Sequence, residues 1–509
     1  MPQYTPFIGA CTVTTEPINT DNRVFPEKGN EKVAEQKKLV AEITAMDEDF
    51  TQWYTDVCIK AGLIAYSNIK GFMVYKPAGY AIWEAVQKHL DARFKAVGVE
   101  NVYLPMLIPE RLLSKESDLV EGFAPEVAWV THGGSEKLDE RVCVRPTSES
   151  LFGDFYRGEI QSYRDLPKIY NQWCSVVRWE KETRPFLRSR EFMWQEGHTV
   201  HASAEEAEAR TQQMLNVYAD FCAEDLAIPT IKGRKTDKEK FAGAVATYTI
   251  EALMHDGRAL QSGTSHDFGD DFAKAYGILF TDKDNKQKHA FQTSWGLSTR
   301  IIGALIMVHG DNSGLVLPPR IAPTQVVIVP IQQRKAGVLD KAYELKETLS
   351  NFRVKVDDSD KSPGFKFADQ EMRGFPLRVE IGPRDIQNGK CIIARRDTGA
   401  KEECELDKLE ARIGELLEQI QKDMFERAKK HLEEHTYKAA SREEFDRTFA
   451  EKTGFVKAMW CGELACEEEI KEKFGVTSRC IPFEQEEIAQ TCVCCGKPAK
   501  KMVYWGKSY

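Results

Sequence analysis

Apolar and polar positions follow two alternating patterns through the first two thirds of the chain. Between residues 75 and 320, helical stretches such as YAIWEAVQKHLDARFKAVG alternate with short apolar runs such as VYLPML, which are too short to be buried helices. This alternation predicts a large mixed α/β or α+β unit. A charged amphipathic helix is expected from Glu31. Residues 1–45 are otherwise interpreted as a flexible leader, because their first part is rich in Thr, Asn, Pro and Gly without periodicity.

A second domain is predicted after the segment LVLPPRIAPTQ, whose three prolines indicate a linker with a boundary near Ala322. The runs VVIVPI, FRVKV, LRVEI and KCIIARR then alternate with a helical stretch, as in a small α/β domain over residues 323–425. A long amphipathic helix is predicted next, with apolar residues at Leu409, Ile413, Leu416, Leu417 and Ile420. Residues 426–509 are expected to form a third domain.

Composition and charge describe an ordinary globular protein. The 509 residues are 42% hydrophobic and 29% charged, which excludes a disordered or collagen-like chain and leaves room for about three domains. The net charge of −9 argues mildly against a polyanionic partner, although a locally basic face can still contact phosphates. No run of eighteen apolar residues and no signal-like start are present, so we expect a cytoplasmic protein without a membrane partner.

Cysteines cluster near the end of the chain, where six of the thirteen fall within the last 49 residues. Cys461 and Cys466 are five residues apart, and the CVCCG turn at residues 492–496 allows two thiolates to point at one ion. Four thiolates suit structural zinc, and we predict that the ligands are Cys461, Cys466, Cys492 and Cys495. Free buried thiols are the alternative interpretation. Cys494 stays an alternative ligand within the turn, and Cys480 is interpreted as a core thiol.

The segment VVRWEKETRPFLRSREFMWQEGHT is too rich in Arg, Glu and aromatic residues for a simple core strand. Its pattern places Arg178 and Glu180 on one face of a strand, followed by a charged loop. Arg188, Glu191 and Phe192 then enter the next strand. Arginine is suited to bidentate phosphate contact, so the segment indicates a phosphate-binding site. Exposed ion pairs of a hairpin are the alternative interpretation.

This segment resembles motif 2 of the class II aminoacyl-tRNA synthetases, in which Arg-x-Glu is followed by a loop and a Phe. GVENVYLPML at residues 98–107 is similar to motif 1 of that class, and GLSTRIIG at residues 296–303 is similar to motif 3. PTSE at residues 146–149 and QSGTSH at residues 261–266 resemble the substrate pocket of the prolyl-tRNA synthetase family. The similarity covers about residues 50–509.

The resemblance implies a fold as well as an activity. The expected fold is an α+β catalytic domain with an antiparallel sheet over residues 46–322, an α/β anticodon-binding domain, and a small zinc-stapled α+β C-terminal domain. The cysteine domain resembles the eukaryotic and archaeal form of the family. Only about 100 residues separate His198 from Gly296, which leaves no room for the editing insertion of the bacterial form.

The implied activity is activation of L-proline by ATP and its transfer to the cognate tRNA, which is chemistry that depends on positioning and charge compensation. Arg178 and Arg300 are the implied catalytic residues. The implied ATP contacts are Arg178, Glu180, Arg188, Ser189, Phe192, Gln261, Thr264, Ser298 and Arg300. Gln261 is also the implied protein ligand of a magnesium ion bound with ATP.

Proline recognition requires a carboxylate for the secondary ammonium group and apolar walls for the ring. The residues implied by the resemblance are Thr147, Glu149, Arg178, Phe123, Trp194, His198 and His266. His266 has an alternative interpretation as a hydrogen-bonded scaffold residue, and Phe123 as a core residue.

In the second domain, the implied anticodon contacts are Glu371, Arg378, Arg384 and Asp385, with solvated surface charge as the alternative for each. The resemblance further implies a homodimer, because motif 1 lies at the subunit interface of the class. One rival function is that of a threonyl-tRNA synthetase, which requires a pocket cysteine to hold catalytic zinc. Another is that of a non-catalytic paralogue, which would be expected to lack Arg178 or Arg300.

Overall fold

The structure is a computed structural model that describes residues 43–119 and 126–509. All but the last three residues of the expected leader lie outside these ranges, as does the proline-pocket candidate Phe123. Within the described residues, the helices are α1 (Phe50–Lys60), α2 (Pro77–Ala96), α3 (Glu110–Leu119), α4 (Glu149–Glu159), α5 (Ala204–Glu224), α6 (Asp271–Tyr276), α7 (Arg300–His309), α8 (Val338–Thr348), α9 (Pro363–Arg373), α10 (Pro383–Gln387), α11 (Leu409–Glu434), α12 (Arg442–Glu451) and α13 (Leu464–Phe474).

The strands of the same residues form one large sheet and four smaller ones. They are β1 (Ile64–Tyr66), β2 (Met73–Tyr75), β3 (Glu100–Asn101), β4 (Leu107–Pro109), β5 (Trp129–Gly133), β6 (Glu136–Val144), β7 (Lys168–Val177), β8 (Glu191–His201), β9 (Ile231–Arg234), β10 (Ala246–Leu253), β11 (Ala259–Gly269), β12 (Leu279–Thr281), β13 (Gln287–His289), β14 (Phe291–Ser298), β15 (Val326–Pro330), β16 (Val354–Val356), β17 (Leu377–Ile381), β18 (Lys390–Arg395), β19 (Lys401–Glu405), β20 (Thr436–Ala439), β21 (Phe455–Trp460), β22 (Thr477–Pro482) and β23 (Lys501–Gly506).

The central part of the large sheet is antiparallel, as expected for the catalytic unit. Strands β9, β10, β11, β14, β8 and β7 lie side by side in that order, and each pairs antiparallel with its neighbour. Successive side chains of a strand point to opposite faces, so this sheet presents one apolar face and one polar face. Helices α2 and α5 cover the apolar face.

A buried aromatic cluster joins this apolar face to the two helices. The ring of Phe94 on α2 lies 6.3 Å from Trp295 on β14 and 6.2 Å from Tyr218 on α5, measured between centroids. Gly197 on β8 permits the close approach of Trp295, because a Cβ at this position would lie 2.0 Å from a ring atom. The cluster therefore fixes the strands whose opposite face carries the polar residues.

The second sheet has the order β16-β15-β17-β18-β19. Its first three strands are parallel, and β18 pairs antiparallel with both β17 and β19. Its strands include the four apolar runs of the predicted α/β domain. Helix α11 buries its predicted apolar residues in the same core, namely Leu409, Ile413, Leu416, Leu417 and Ile420. The expected domain boundary after residue 425 falls within this helix, which continues to Glu434.

The C-terminal strands extend the large sheet. Strands β20, β21, β23 and β22 continue it beyond β9, where Ile481 pairs with Arg234 and Pro482 with Gly233. The last domain thus shares a hydrogen-bonded sheet with the catalytic strands, whereas the sequence predicts only a separate small unit. No helix of the described ranges combines the length and apolar character that crossing a membrane requires.

Candidate active site

A polar cavity of about 320 Å³ opens on the face of the central sheet that is turned away from α5. The orientation follows from strand alternation: Ser265 on β11 donates its hydroxyl hydrogen to Thr211 of α5 at 2.8 Å, so its neighbours Thr264 and His266 point the other way. Three strands line much of the cavity, mainly with polar and aromatic residues and glycine. They contribute Trp194, Glu196 and His198 from β8, Ser294, Gly296 and Ser298 from β14, and Gln261, Thr264 and His266 from β11.

Most of the residues that the resemblance places in the substrate pocket line this one cavity. They are Thr147, Glu149, Arg178, Phe192, Trp194, His198, Gln261, Thr264, His266, Ser298 and Arg300. Glu180, Arg188 and Ser189 do not line it. Ser189 is buried and donates to the carbonyl oxygen of Glu191 at 2.7 Å, whereas Arg188 lines a neighbouring cavity together with Arg300 and Tyr509.

The first turn of α4 brings a carboxylate to the cavity. Glu149 is the first residue of this helix and is largely buried, and the Thr147 hydroxyl donates to its Oε2 atom. Carboxylates are favoured at helix N-termini, where backbone N–H groups are unpaired. The site therefore presents negative charge at one end.

Glu196 organises the floor of the cavity, although the motif comparison does not identify it. Its carboxylate accepts from the Ser148 hydroxyl at 2.5 Å and from Gln172 Nε2 at 2.8 Å, and lies 3.2 Å from His198 Nε2. Burial raises the pKa of Glu196, but these hydrogen bonds and the neighbouring imidazole outweigh it and hold the pKa below its usual range. The sequence could have indicated this role, because Glu196 lies on the same face of the strand as Trp194 and His198.

Two arginines bring positive charge to the end of the cavity opposite Glu149. Arg178 lies just beyond β7, which ends at Val177, so the expectation that Arg178 and Glu180 share a strand face is wrong. The reason is that the backbone here leaves the ladder: Trp179 N donates to Glu126 O at 2.8 Å. Arg178 Nε donates to Pro146 O at 3.0 Å, and its guanidinium lies 5.4 Å from the Phe192 ring centroid.

Arg300 begins α7, directly after β14, and points back toward the same region. Burial lowers the pKa of Arg300 to about 10, and repulsion from Arg178 and Arg188 acts in the same direction. A bound polyanion would offset the repulsion between these guanidinium groups and so stabilise the site. The arrangement is suited to binding phosphates.

His266 and Phe241 form the wall beside the negative end. Both ring nitrogens of His266 form hydrogen bonds: Nδ1 lies 2.9 Å from Thr247 Oγ1, and Nε2 lies 3.0 Å from Thr264 Oγ1. Burial lowers the pKa of His266 to about 3. A neutral ring therefore lies here at physiological pH. Phe241 lies 4.9 Å from the His266 ring; it follows β9 in an irregular segment, and no sequence pattern singles it out.

In the second domain, Glu371 and Arg378 come together and Asp385 has a different environment. Arg378 NH1 donates to Glu371 Oε1 at 3.1 Å, and its guanidinium lies 4.1 Å from the Phe367 ring centroid. Asp385 accepts from Gly382 N at 2.7 Å in the first turn of α10, whereas Arg384 is exposed.

The four predicted zinc ligands converge in the C-terminal domain. The sulfur atoms of Cys461 and Cys466 are 3.7 Å apart, those of Cys466 and Cys492 are 4.0 Å apart, and those of Cys461 and Cys495 are 3.7 Å apart. Cys494 is not among the four converging residues, and its sulfur lies 3.4 Å from Arg442 NH1. Among the described residues, this is the one cluster of His, Cys, Asp or Glu with metal-site geometry.

The substrate cavity bears on one of the rival functions. Its described lining contains two histidines but no cysteine, so it lacks the pocket thiolate expected of a threonyl-tRNA synthetase.

Comparison with known proteins identifies three segments of the chain. Residues 129–309 match the tRNA synthetase class II core domain (G, H, P, S and T), residues 325–416 the anticodon binding domain, and residues 442–509 the C-terminal domain of prolyl-tRNA synthetase. Among the relatives, the proline–tRNA ligase of Lachnoclostridium phytofermentans is 71% identical over 477 residues, which are 94% of this chain and all of the relative.

Other relatives agree over the same length. The proline–tRNA ligase of Lachnospira eligens is 70% identical over 479 residues, and a proline–tRNA ligase 2 of Bacillus cereus is 61% identical over 474 residues. Each match covers the whole relative and at least 93% of this chain. These organisms are bacteria, so the comparisons do not support the expected eukaryotic and archaeal type.

Proposed function

Because the chain belongs to the prolyl-tRNA synthetase family, we propose that the polar cavity of the central sheet is where its substrates react. The enzyme is a proline–tRNA ligase: it forms prolyl-adenylate from L-proline and ATP with release of diphosphate, and transfers the prolyl group to the 3′ end of tRNA(Pro). The observation that carries the placement is the convergence of the Glu149 carboxylate and the Arg178 and Arg300 guanidiniums on one cavity.

Proline binds at the negative end of the cavity. Thr147 and Glu149 hold its protonated secondary amine, and Trp194, His198 and His266 enclose the ring, with Phe241 as an additional wall. Glu196 acts through Ser148 and His198, whose positions it fixes by hydrogen bonds. Phe123 remains a candidate from sequence alone.

ATP binds along the arginine end. Arg178 contacts both the proline carboxylate and the α-phosphate, and it stabilises the charge that develops when the carboxylate attacks the phosphorus atom in line. Arg300 contacts the γ-phosphate and stacks on adenine opposite Phe192, and Arg188 adds phosphate charge. The remaining ATP contacts are Glu180 with the adenine amino group, and Ser189, Gln261, Thr264 and Ser298 with ribose or phosphate.

Class II synthetases use magnesium with ATP. The donor set fits an ion held mainly by phosphates: Gln261 offers one neutral amide oxygen, and the nearby carboxylate of Glu251 is already bound by Lys235 at 2.7 Å and Arg479 at 2.8 Å. Magnesium commonly keeps waters and substrate phosphates as most of its ligands. When bound, the ion would neutralise phosphate charge, and Gln261 would help to hold it.

tRNA(Pro) is the second substrate, and its anticodon is read by the second sheet. Glu371 and Arg378 form the centre of this site, where the Arg378 guanidinium stacks on the Phe367 ring. Arg384 remains an accessible partner for a base or phosphate. Asp385 is the weakest candidate, because its carboxylate is engaged by the α10 backbone.

The cysteine cluster holds a structural zinc ion. Tetrahedral zinc with Zn–S bonds of about 2.3 Å requires sulfur atoms about 3.8 Å apart. The separations of 3.7, 4.0 and 3.7 Å match this requirement and favour Cys495 over Cys494. This geometry, together with the short segment between His198 and Gly296, supports a form of the enzyme that has a C-terminal zinc domain and no inserted domain.

The enzyme acts as a homodimer in the cytoplasm, where tRNA and ATP are available. An exposed apolar surface follows α2 and supports dimerisation, with Tyr103 68% and Met106 46% exposed. Leu107 on β4, which is 38% exposed, extends it. We retain the division into domains at residues 45/46 and 322/323, and move the last boundary from 425/426 to the end of α11.

The test is proline-dependent exchange of label between diphosphate and ATP, measured with all twenty amino acids. We expect exchange with proline in the wild type and a loss of at least about a hundredfold in kcat for Arg178→Ala, since Arg178 compensates charge in the transition state. Arg157→Ala, an exposed arginine of α4, is the matched control and should retain full exchange. Folded wild-type protein that binds tRNA but exchanges with no amino acid would point to a non-catalytic paralogue.

A further inference from the structure

Glu251 on β10 is fully buried next to the ATP end of the cavity, and the reaction as described assigns it no role. It lies directly opposite Gln261 on β11, and residues opposite each other in an antiparallel pair point to the same face. Thr249, two residues earlier, donates its hydroxyl hydrogen to Glu251 Oε1 at 3.0 Å. The Glu251 carboxylate therefore belongs to the row of side chains beside Gln261.

Two cations neutralise this carboxylate, and one comes from the C-terminal domain. Lys235 Nζ donates to Oε1 at 2.7 Å, and Arg479 donates to Oε2 through NH2 at 2.8 Å and Nε at 3.1 Å. Burial raises the pKa of Glu251, but the charges of Arg479 and Lys235 outweigh it and hold the pKa below its usual range. Because one carboxylate faces two cations, the cluster keeps excess positive charge.

The sheet extension explains how Arg479 reaches this position. Strand β22 pairs with β9, so residues of the C-terminal domain lie one strand away from β10. Lys235 Nζ also donates to the backbone carbonyl of Arg479 at 2.8 Å, which ties the backbone of β22 to the same cluster. All three charged side chains are at least nine-tenths buried.

We propose that Arg479 is a positioning residue for ATP, supplied to the catalytic sheet by the C-terminal domain. It fixes Glu251, which lies opposite Gln261 in the strand pairing, and its charge adds positive potential beside the bound phosphates. This role rests on the proposed placement of ATP. The C-terminal domain thereby takes part in amino-acid activation, in addition to any structural role of its zinc site.

The experiment measures steady-state exchange for Arg479→Gln, with ATP and proline varied separately in the full-length protein. We expect the KM for ATP to rise about tenfold, the size of one displaced charge-assisted contact, while the KM for proline changes less than about twofold. Arg479→Lys keeps the charge and should restore most of the ATP affinity. A protein that is only partly folded would lose active sites, and kcat would fall without this selective change in KM.

Glu467→Gln is the matched control. Glu467 is buried in the same interface and accepts from the Thr236 hydroxyl at 2.8 Å, with no contact to Glu251. The substitution Glu467→Gln should lower the free energy of unfolding without changing the KM for ATP. An unchanged KM for ATP in Arg479→Gln, or equal changes in Arg479→Gln and Glu467→Gln, would overturn the inference. Absence of proline-dependent exchange in the wild type would instead overturn the placement of the reaction itself.

Discussion

At the scale of single residues, the proposed recognition of proline depends on one charge. Glu149 is the carboxylate at the N-terminal end of α4, and Thr147 holds it in place by a hydrogen bond. A protonated amine bound by a carboxylate in a largely dry pocket is worth more than the same pair in water. Removing the charge while keeping the shape should therefore weaken proline binding selectively.

The corresponding variant is Glu149→Gln. We expect the KM for proline to rise between about tenfold and a hundredfold, because a hydrogen bond to a charged group contributes about 1.5–3 kcal/mol. The KM for ATP should stay within about twofold. Exchange kinetics with each substrate varied separately give both values. Glu159→Gln at the exposed opposite end of α4 is the control, and an unchanged KM for proline in Glu149→Gln would refute the assignment.

At the scale of elements, the end of helix α7 contains a histidine whose charge is suppressed. His309 Nε2 donates to Leu226 O at 2.9 Å, and burial lowers its pKa to about 4. A helix C-terminus favours a protonated histidine by up to about 2 kcal/mol, so burial is the stronger effect here. The folded state thus keeps His309 neutral at pH values where the unfolded chain is protonated.

This shift makes stability depend on pH. A depressed pKa stabilises the fold above the unfolded value of about 6.5, and that contribution is lost as pH falls from 6.5 toward 4. Between pH 7 and pH 5, His309 should account for a fall of about 2 kcal/mol in the free energy of unfolding. Urea unfolding at both pH values should show a smaller fall for His309→Gln. His132 is exposed, so the free energy of unfolding of His132→Gln should fall as much as that of the wild type. An equal fall in all three proteins would exclude this explanation.

The cysteine cluster joins the end of β21 to the turn before β23, and its metal can be tested separately. Wild-type protein should contain about one zinc ion per chain, and Cys466→Ser should lose it because three thiolates hold zinc less well than four. Cys494→Ser should keep it, since this neighbouring thiol lies outside the cluster. Elemental analysis after dialysis measures the content. Zinc-free wild type would show that the cluster is a set of free thiols, and equal loss in both variants would show that Cys494 is also required for zinc binding.

Sequence patterns predicted the elements that local residues determine. The apolar runs that became β15 and β17 are bounded by prolines, and the apolar spacing of α11 matches its buried face. The pairing of β22 with β9 had no such signal, because it joins residues far apart in sequence and depends on the edges that remain available after folding.

The residues of the site also fall into two groups, those that the sequence predicted and those that it did not. Arg178, Arg300 and Glu149 belong to short sequence motifs, and all three line the cavity. Phe241 and Arg479 were not predicted, because an irregular loop and a distant strand bring them in. Placement of Arg178 beyond the end of β7 also depends on tertiary hydrogen bonds that its own segment does not encode.

At the scale of the whole molecule, the apolar surface after α2 should determine the oligomeric state. Sedimentation velocity should show a dimer for the wild type, and Tyr103→Asp should shift it toward monomer at low micromolar concentration, because a buried unpaired carboxylate opposes association. Leu464→Asp changes an apolar residue of the C-terminal domain that is 52% exposed, and this variant should remain dimeric. A monomeric wild type, or a dimer that tolerates Tyr103→Asp, would contradict this interface.

The shared sheet also has a consequence for how the protein is made. Strand β9 would be an open edge until β22 covers it, and roughly 240 residues separate the two. At typical ribosomal speeds, that segment takes on the order of 10–50 s to synthesise. During this interval the nascent chain exposes unpaired backbone groups beside its future catalytic strands, and these groups can recruit neighbouring nascent chains. Slow translation of this segment should therefore increase aggregation and the demand for chaperones.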